Sequence, residues 1–180
     1  CAAPSLVRML DEAGLPPSEE ASRLLHNVRG ADDALAALLA SPRADARRFA
    51  ARLLLGRDPA RWWPAVLPLL KDSDSAVRRT VIAAVGDVRL RAAAPHVLAA
   101  LRDPDVVEAA LPAAMALLLA DAAPEVVRQL KADSRTAIAA ARALRIRDAI
   151  PELARIAMVT PEDADFACGT MGRIGDPSVV

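Results

Sequence analysis

The sequence predicts an all-α fold, an α-solenoid of stacked helical hairpins, and three observations carry that prediction. A proline recurs with the same apolar spacing behind it: Pro64 leads to Val66, Leu67 and Leu70, Pro95 to Val97, Leu98 and Leu101, and Pro124 to Val126, Val127 and Leu130. Pro151 repeats the figure loosely with Leu153, Ala154 and Ala157. Each such segment pairs with another helix-period segment, giving a unit of about thirty residues that buries its apolar stripes only by stacking on its neighbours. The composition agrees, because 54% of the 180 residues are apolar while only two Phe, two Trp and no Tyr occur. Alanine makes up much of the rest, letting helices approach closely and favouring helix at nearly every position.

The elements follow in order. Residues 1–29 read as an irregular pair of helices divided by Gly14-Leu15-Pro16-Pro17, with Ser18 as N-cap and Leu24, Leu25 and Val28 on the apolar face of the second. Asp32 to Ala40 gives a second-type helix with Asp33 in the proline's place, since Leu35, Ala36 and Leu39 keep the spacing. The first full unit runs from Ser41 to Lys71, with Ala46, Ala50, Leu53 and Leu54 on one face of its first helix. In the next, Asp72-Ser73-Asp74-Ser75 supplies turn and cap oxygens, Val77, Val81, Ala84, Val85 and Val88 form the stripe, and Gly86 or Asp87 marks the stop.

Asp103-Pro104-Asp105 opens a unit whose first helix carries Val107, Leu111, Ala114, Met115 and Leu118. Pro112 lies inside it and removes one hydrogen bond, so a bend is expected. Asp133 to Met158 forms a shorter unit, and Pro161 to Gly175 the first helix of an unfinished one. Gly175-Asp176-Pro177-Ser178-Val179-Val180 matches the stretch before a second helix, so the helix over 161–175 is expected to expose apolar surface. The expected organisation is one solenoid over 1–180, with repeats from 31 onward and the last cut short.

The strings Asp74-Ser75-Ala76-Val77-Arg78-Arg79 through Val85-Gly86-Asp87, and Ala94-Pro95-His96-Val97-Leu98-Ala99-Ala100-Leu101, resemble the short HEAT-like repeat of bacterial proteins, the type also found in phycobilisome lyases. Gly172-Arg173-Ile174-Gly175-Asp176-Pro177 is similar to the same repeat's mid-section. The resemblance covers residues 31–180 and implies an armadillo-like α/α superhelix. The arginine of the repeat's Val-Arg pair stands at Arg78 and, after Ala46, at Arg47, whereas later units place Glu108, Ala137 and Ala167 there. Such repeats serve unrelated tasks, so function has to be sought in individual residues.

Enzymes similar in repeat set requirements that this chain does not meet. Di-iron hydroxylases of this repeat type need several His-Glu pairs, but His26 precedes Asn27, His96 precedes Val97, and no third histidine occurs. Repeat-built DNA glycosylases need a basic groove and aromatic side chains, whereas twenty-three basic residues balance twenty-three acidic ones here. A bilin lyase would need a nucleophile in a distinctive setting. Gly169, Gly172 and Gly175 lack the Gly-Lys-Ser or Gly-Lys-Thr of a phosphate loop and read as sites of close helix packing. Lys71, Arg102 and Lys131, seven places after their prolines, suit helix carboxyl ends. No catalytic residue, cofactor or metal is expected.

Cys1 and Cys168 are too far apart to pair, and no apolar run reaches the roughly 18 residues of a membrane span. An amino-terminal cysteine reads in two ways, as a lipid-bearing terminus in a bacterial envelope or as the cut end of a longer chain. A cytoplasmic location is the expectation, with the lipid-anchored form as its alternative. The bias toward Arg over Lys, with Ala, Leu and Pro in excess, matches a GC-rich bacterial genome.

What remains is a binding surface. Trp62 and Trp63 stand out in a chain this poor in aromatics, and adjacent helix positions point about 100° apart, so one is expected in the core and the other as a contact anchor. His96 falls at an outward position, and Arg128 and Arg155 stand four places after their prolines, where nothing in the repeat requires them. The expected function is a non-enzymatic scaffold whose second helices line a concave face and bind a protein or peptide. The alternatives are an enzyme accessory subunit that positions a substrate protein and, for the residues, two packed tryptophans with arginines paired to Glu125 and Glu152.

Overall fold

Residues 31–132 and 135–175 are described by a computed structural model of the chain. The expected helices of 1–29, Cys1, His26, the start at Asp133 and the stretch 176–180 lie outside the described residues. The chain divides into two compact units, residues 1–90 and 91–180.

In residues 1–90 the described helices are α1 (Ala31–Leu38), α2 (Ala44–Arg57), α3 (Pro59–Val66) and α4 (Ser75–Asp87), with a 3₁₀ segment Leu67–Lys71 prolonging α3. The expected start of a helix near Pro64 is corrected. Asp58 caps α3 through a bond accepted from the Arg61 backbone N–H, and Pro59 takes the first turn. An N-cap oxygen followed by a proline is the stronger start signal, and it leaves Pro64 inside the helix. Proline has no N–H to give, and the chain passes into the 3₁₀ segment directly after this helix.

The loop before each first helix is built the same way at intervals of one repeat. Ser41 Oγ accepts from Arg43 N–H at 3.2 Å, Asp72 Oδ1 from Asp74 N–H at 2.9 Å, and, in the second unit, Asp103 Oδ1 from Asp105 N–H at 2.9 Å. The arginine of the Val-Arg pair then closes its loop. Arg47 donates to the Ser41 and Pro42 carbonyls at 2.8 and 3.0 Å, and Arg78 to the Asp72 carbonyl at 2.9 Å. Arg47 also grips the Asp72 carboxylate of the following repeat with two bonds, at 2.7 and 2.8 Å. α2 packs on both α1 and α4.

Residues 91–180 hold α5 (Ala94–Ala100), α6 (Val107–Leu117), α7 (Ala123–Leu130), α8 (Arg135–Ala143), α9 (Ile150–Val159) and α10 (Pro161–Gly175). The first helices α6, α8 and α10 pack in a row, α7 lies against α9, and α5, α7 and α9 pack on α6, α8 and α10 in turn. This is the two-layer stacking of a helical-repeat fold. Pro95, Pro124 and Pro151 each occupy the first turn of a second helix, behind a short 3₁₀ turn. The residue two places on is fully buried each time: Val97, Val126 and Leu153. α6 runs through Pro112, which sits on its exposed side, so the carbonyl left without an N–H partner costs least.

Three hairpin turns share a feature that the apolar pattern does not show. Arg89, Leu118 and Arg145 have φ near +50°, and each stands six residues before the repeat's proline. The next N–H in each case reaches back five residues, Leu90 to Val85, Leu119 to Ala114 and Ile146 to Ala141, while the left-handed residue bonds three back, to Gly86, Met115 and Arg142. This paired arrangement ends a helix by satisfying its last carbonyls. Leu118, expected on the buried stripe of α6, is therefore rotated out of the helix and is 67% exposed.

α10 buries Asp163, Ala167, Thr170 and Ile174 on one face. The expectation that Gly169 and Gly172 permit close packing is corrected, since a Cβ at either position would meet no atom within 4 Å. Gly169→Ala and Gly172→Ala should each stabilise the chain by about 1 kcal/mol, the helix-propensity difference, in thermal or urea unfolding.

Candidate second-helix binding face

The second helices of residues 91–180 repeat one outward figure. Pro95 and Ala99, then Pro124 and Arg128, are exposed, while on α9 Pro151 is exposed and Arg155 half-buried. His96, Glu125 and Glu152, one place after each proline, are half-buried. His96, Arg128 and Arg155 thus all stand on second helices and keep part of their surface accessible.

The two arginines have structural work that their spacing alone does not reveal. Arg128 pairs with Glu125 at 2.8 Å and also donates to the carbonyl of Leu101, at the end of α5, at 3.2 Å. Arg155 pairs with Glu152 and donates to the carbonyl of Leu130, at the end of α7, at 3.4 Å. Each therefore caps the carboxyl end of the preceding second helix, where a cation also meets the helix dipole favourably. Arg102 adds a second bond to Glu125, at 2.7 Å. The face is a register of acid–base pairs anchored to backbone, and Arg128 keeps 52% of its side chain exposed.

The tryptophans are placed differently from the expectation of one anchor at the surface. Trp62 and Trp63 are both only 9% exposed. Trp62 packs in a cluster with Leu35, Leu38, Ala46, Ala50, Leu53 and Leu54, and the Arg61 guanidinium lies over its ring at 4.6 Å from the centroid. Trp63 is buried outside that cluster. Trp62, Trp63 and Val66 are buried while Ala60, Arg61, Pro64 and Ala65 are exposed, so the one buried arc of α3 is wide enough to take two adjacent positions.

The electrostatic centre of residues 1–90 is structural. The Arg47 guanidinium, with further help from the Asp74 backbone N–H and the Arg78 charge, holds the Asp72 carboxyl below the usual carboxylate range against the opposing effect of burial. Among the described residues no group of three His, Cys, Asp or Glu side chains is placed to hold a metal ion. No helix among them is long and apolar enough to cross a membrane.

Residues 31–118 match the family model described as HEAT repeats. No curated protein matches the sequence.

Proposed function

Because residues 31–118 are HEAT repeats, we propose that the chain is a non-enzymatic scaffold that binds a protein or peptide along its second helices. HEAT repeats generally mediate protein interactions. The observation that supports this face is its regularity: α7 and α9 present Arg128 and Arg155 at the same offset, each fixed by a carboxylate and a backbone carbonyl. Side chains held this way lose little further entropy on binding, so they contribute more to affinity than mobile surface arginines do. His96 and Ala99 extend the face onto α5.

The test is partner capture from the native cells with Ala99→Arg and, separately, Arg128→Ala. Ala99 is exposed, so Ala99→Arg should melt within about 3 °C of the parent. Arg128→Ala also loses its bonds to Glu125 and the Leu101 carbonyl, worth about 1 kcal/mol, and should melt a few degrees lower but stay folded. Capture should fall about tenfold, the effect of losing roughly 1.4 kcal/mol at an interface. Folded variants that retain full capture would place the binding surface elsewhere.

A further inference from the structure

α10 (Pro161–Gly175) carries a stripe that the chain leaves in solvent. Glu162, Asp165, Phe166, Gly169, Gly172 and Arg173 are exposed, at the spacings of three and four that share one face of a helix. This is the outer face of a first helix, not an uncovered end of the stack. Thirty residues back on α8, the equivalents of Asp165, Gly169 and Arg173 are Arg135, Ala139 and Ala143, which stay at least partly exposed although α10 packs on α8. A further repeat stacked on α10 would leave the stripe open in the same way.

The glycines of the stripe have no use inside the chain. A glycine within a helix gives up stability against alanine and suits a place where the backbone must come close to something. Yet a Cβ at Gly169 or Gly172 would meet no atom within 4 Å. Phe166, 36% exposed, stands one turn before Gly169. α6 and α8 have Ala109 and Thr136 where α10 has Phe166, and Met115 and Arg142 where it has Gly172. An apolar knob and a recess thus occur together on α10.

The stripe is also complementary to itself about Gly169. Four places to either side stand Asp165 and Arg173, and three places to either side Phe166 and Gly172. A twofold axis through Gly169 would bring each of these residues opposite its counterpart on a second copy, since contacts across such an axis are reciprocal. Asp165 would meet Arg173, Phe166 would fill the space over Gly172, and the two Gly169 backbones would approach closely. Of the other nearby carboxylates, Glu162 lies at the same end as Asp165, and Asp163 is buried and paired with Arg135. Asp176, beyond the helix, lies outside the described residues. A parallel pairing would instead set acid against acid.

We propose that α10 pairs antiparallel with α10 of a second copy of the chain, about a twofold axis at Gly169. The contact is independent of the second-helix face. Two helices of this length bury less than a standard interface of about 1,600 Å², so the association is weak, in the micromolar range.

Sedimentation velocity on the whole chain from about 1 to about 100 µM tests this, and the parent should pass from monomer to dimer. Gly169→Glu sets two carboxylates against each other at the axis and should raise the dissociation constant at least about tenfold. It should melt no lower than the parent, because the single chain has open space there and glutamate favours helix. Asp165→Arg and Arg173→Asp should each weaken the dimer about tenfold, while the double variant should return to within about threefold of the parent. That rescue must come from a second copy, since eight residues of helix hold the two positions about 12 Å apart within one chain. Circular dichroism confirms that each variant is folded. A chain monomeric throughout the range, a dimer indifferent to Gly169→Glu, or a folded double variant no better than the single ones would overturn the proposal.

Discussion

Trp62→Ala is expected to destabilise residues 1–90 by about 3–5 kcal/mol, the usual result of deleting a buried aromatic side chain. The indole fills the space between α3 and the cluster of α1 and α2, so its removal leaves a cavity lined by Leu35, Leu38, Leu53 and Leu54. Trp62→Phe should cost far less, about 1 kcal/mol, because most of the apolar volume stays. Among the described residues the buried indole Nε1 has no hydrogen-bond partner, so phenylalanine also removes an unsatisfied donor. Urea unfolding of the two variants separates a packing role from a binding one. If Trp62→Ala melts like the parent, the burial described here is wrong and the residue returns as a candidate anchor.

Asp72→Ala should cost about 3 kcal/mol, because it strands a guanidinium that is itself largely buried. Asp72 accepts two bonds from Arg47 and one from the Asp74 backbone, and its side chain is 7% exposed. The change therefore unties the α2 repeat from the α4 repeat and opens the turn before α4. The effect is pH-dependent with a definite sign. Folding depresses this carboxyl's pKa, so the unfolded chain takes up the proton more readily than the folded one. The stabilisation is whole above the ordinary aspartate value of about 4 and is lost as the pH falls through the lower folded value. The stability difference between parent and Asp72→Ala should thus be constant from about pH 5 to 8 and shrink in stronger acid. A difference that grows on acidification would contradict the role of the pair.

Much of the architecture was legible because it depends on local periodicity. The bounds of α10, Pro161 to Gly175, coincide with the expected helix, and the residue two places after each repeat proline is buried throughout. The stop of α4 at Asp87 was foreseen, but the left-handed residues Arg89, Leu118 and Arg145 were not, because that conformation is normally announced by glycine and none stands at those positions. Their signal was the constant distance of six residues to the next proline. The roles of Arg128 and Arg155 were hidden for another reason. Their carbonyl partners lie 27 and 25 residues back, in the preceding repeat, so only packing reveals them. Local pattern predicted their acidic partners, Glu125 and Glu152, as one of two readings.

Trp62 and Trp63 show the limit of reading rarity as function. Two adjacent large side chains suggested one buried and one free, but the buried arc of α3 spans both positions, and both are inside. The candidate face that remains is made of ordinary residues whose importance lies in their repetition.

The central claim is that the second-helix layer of residues 91–180 meets another protein, and photo-crosslinking in the native cells tests it most directly. The photoreactive residue p-benzoylphenylalanine would replace Ala99, on the exposed side of α5, or Pro112, on the exposed side of the first helix α6. A discrete protein adduct is expected from position 99 and none from position 112. Equal adducts from both positions, or none from position 99 in a folded chain, would contradict it.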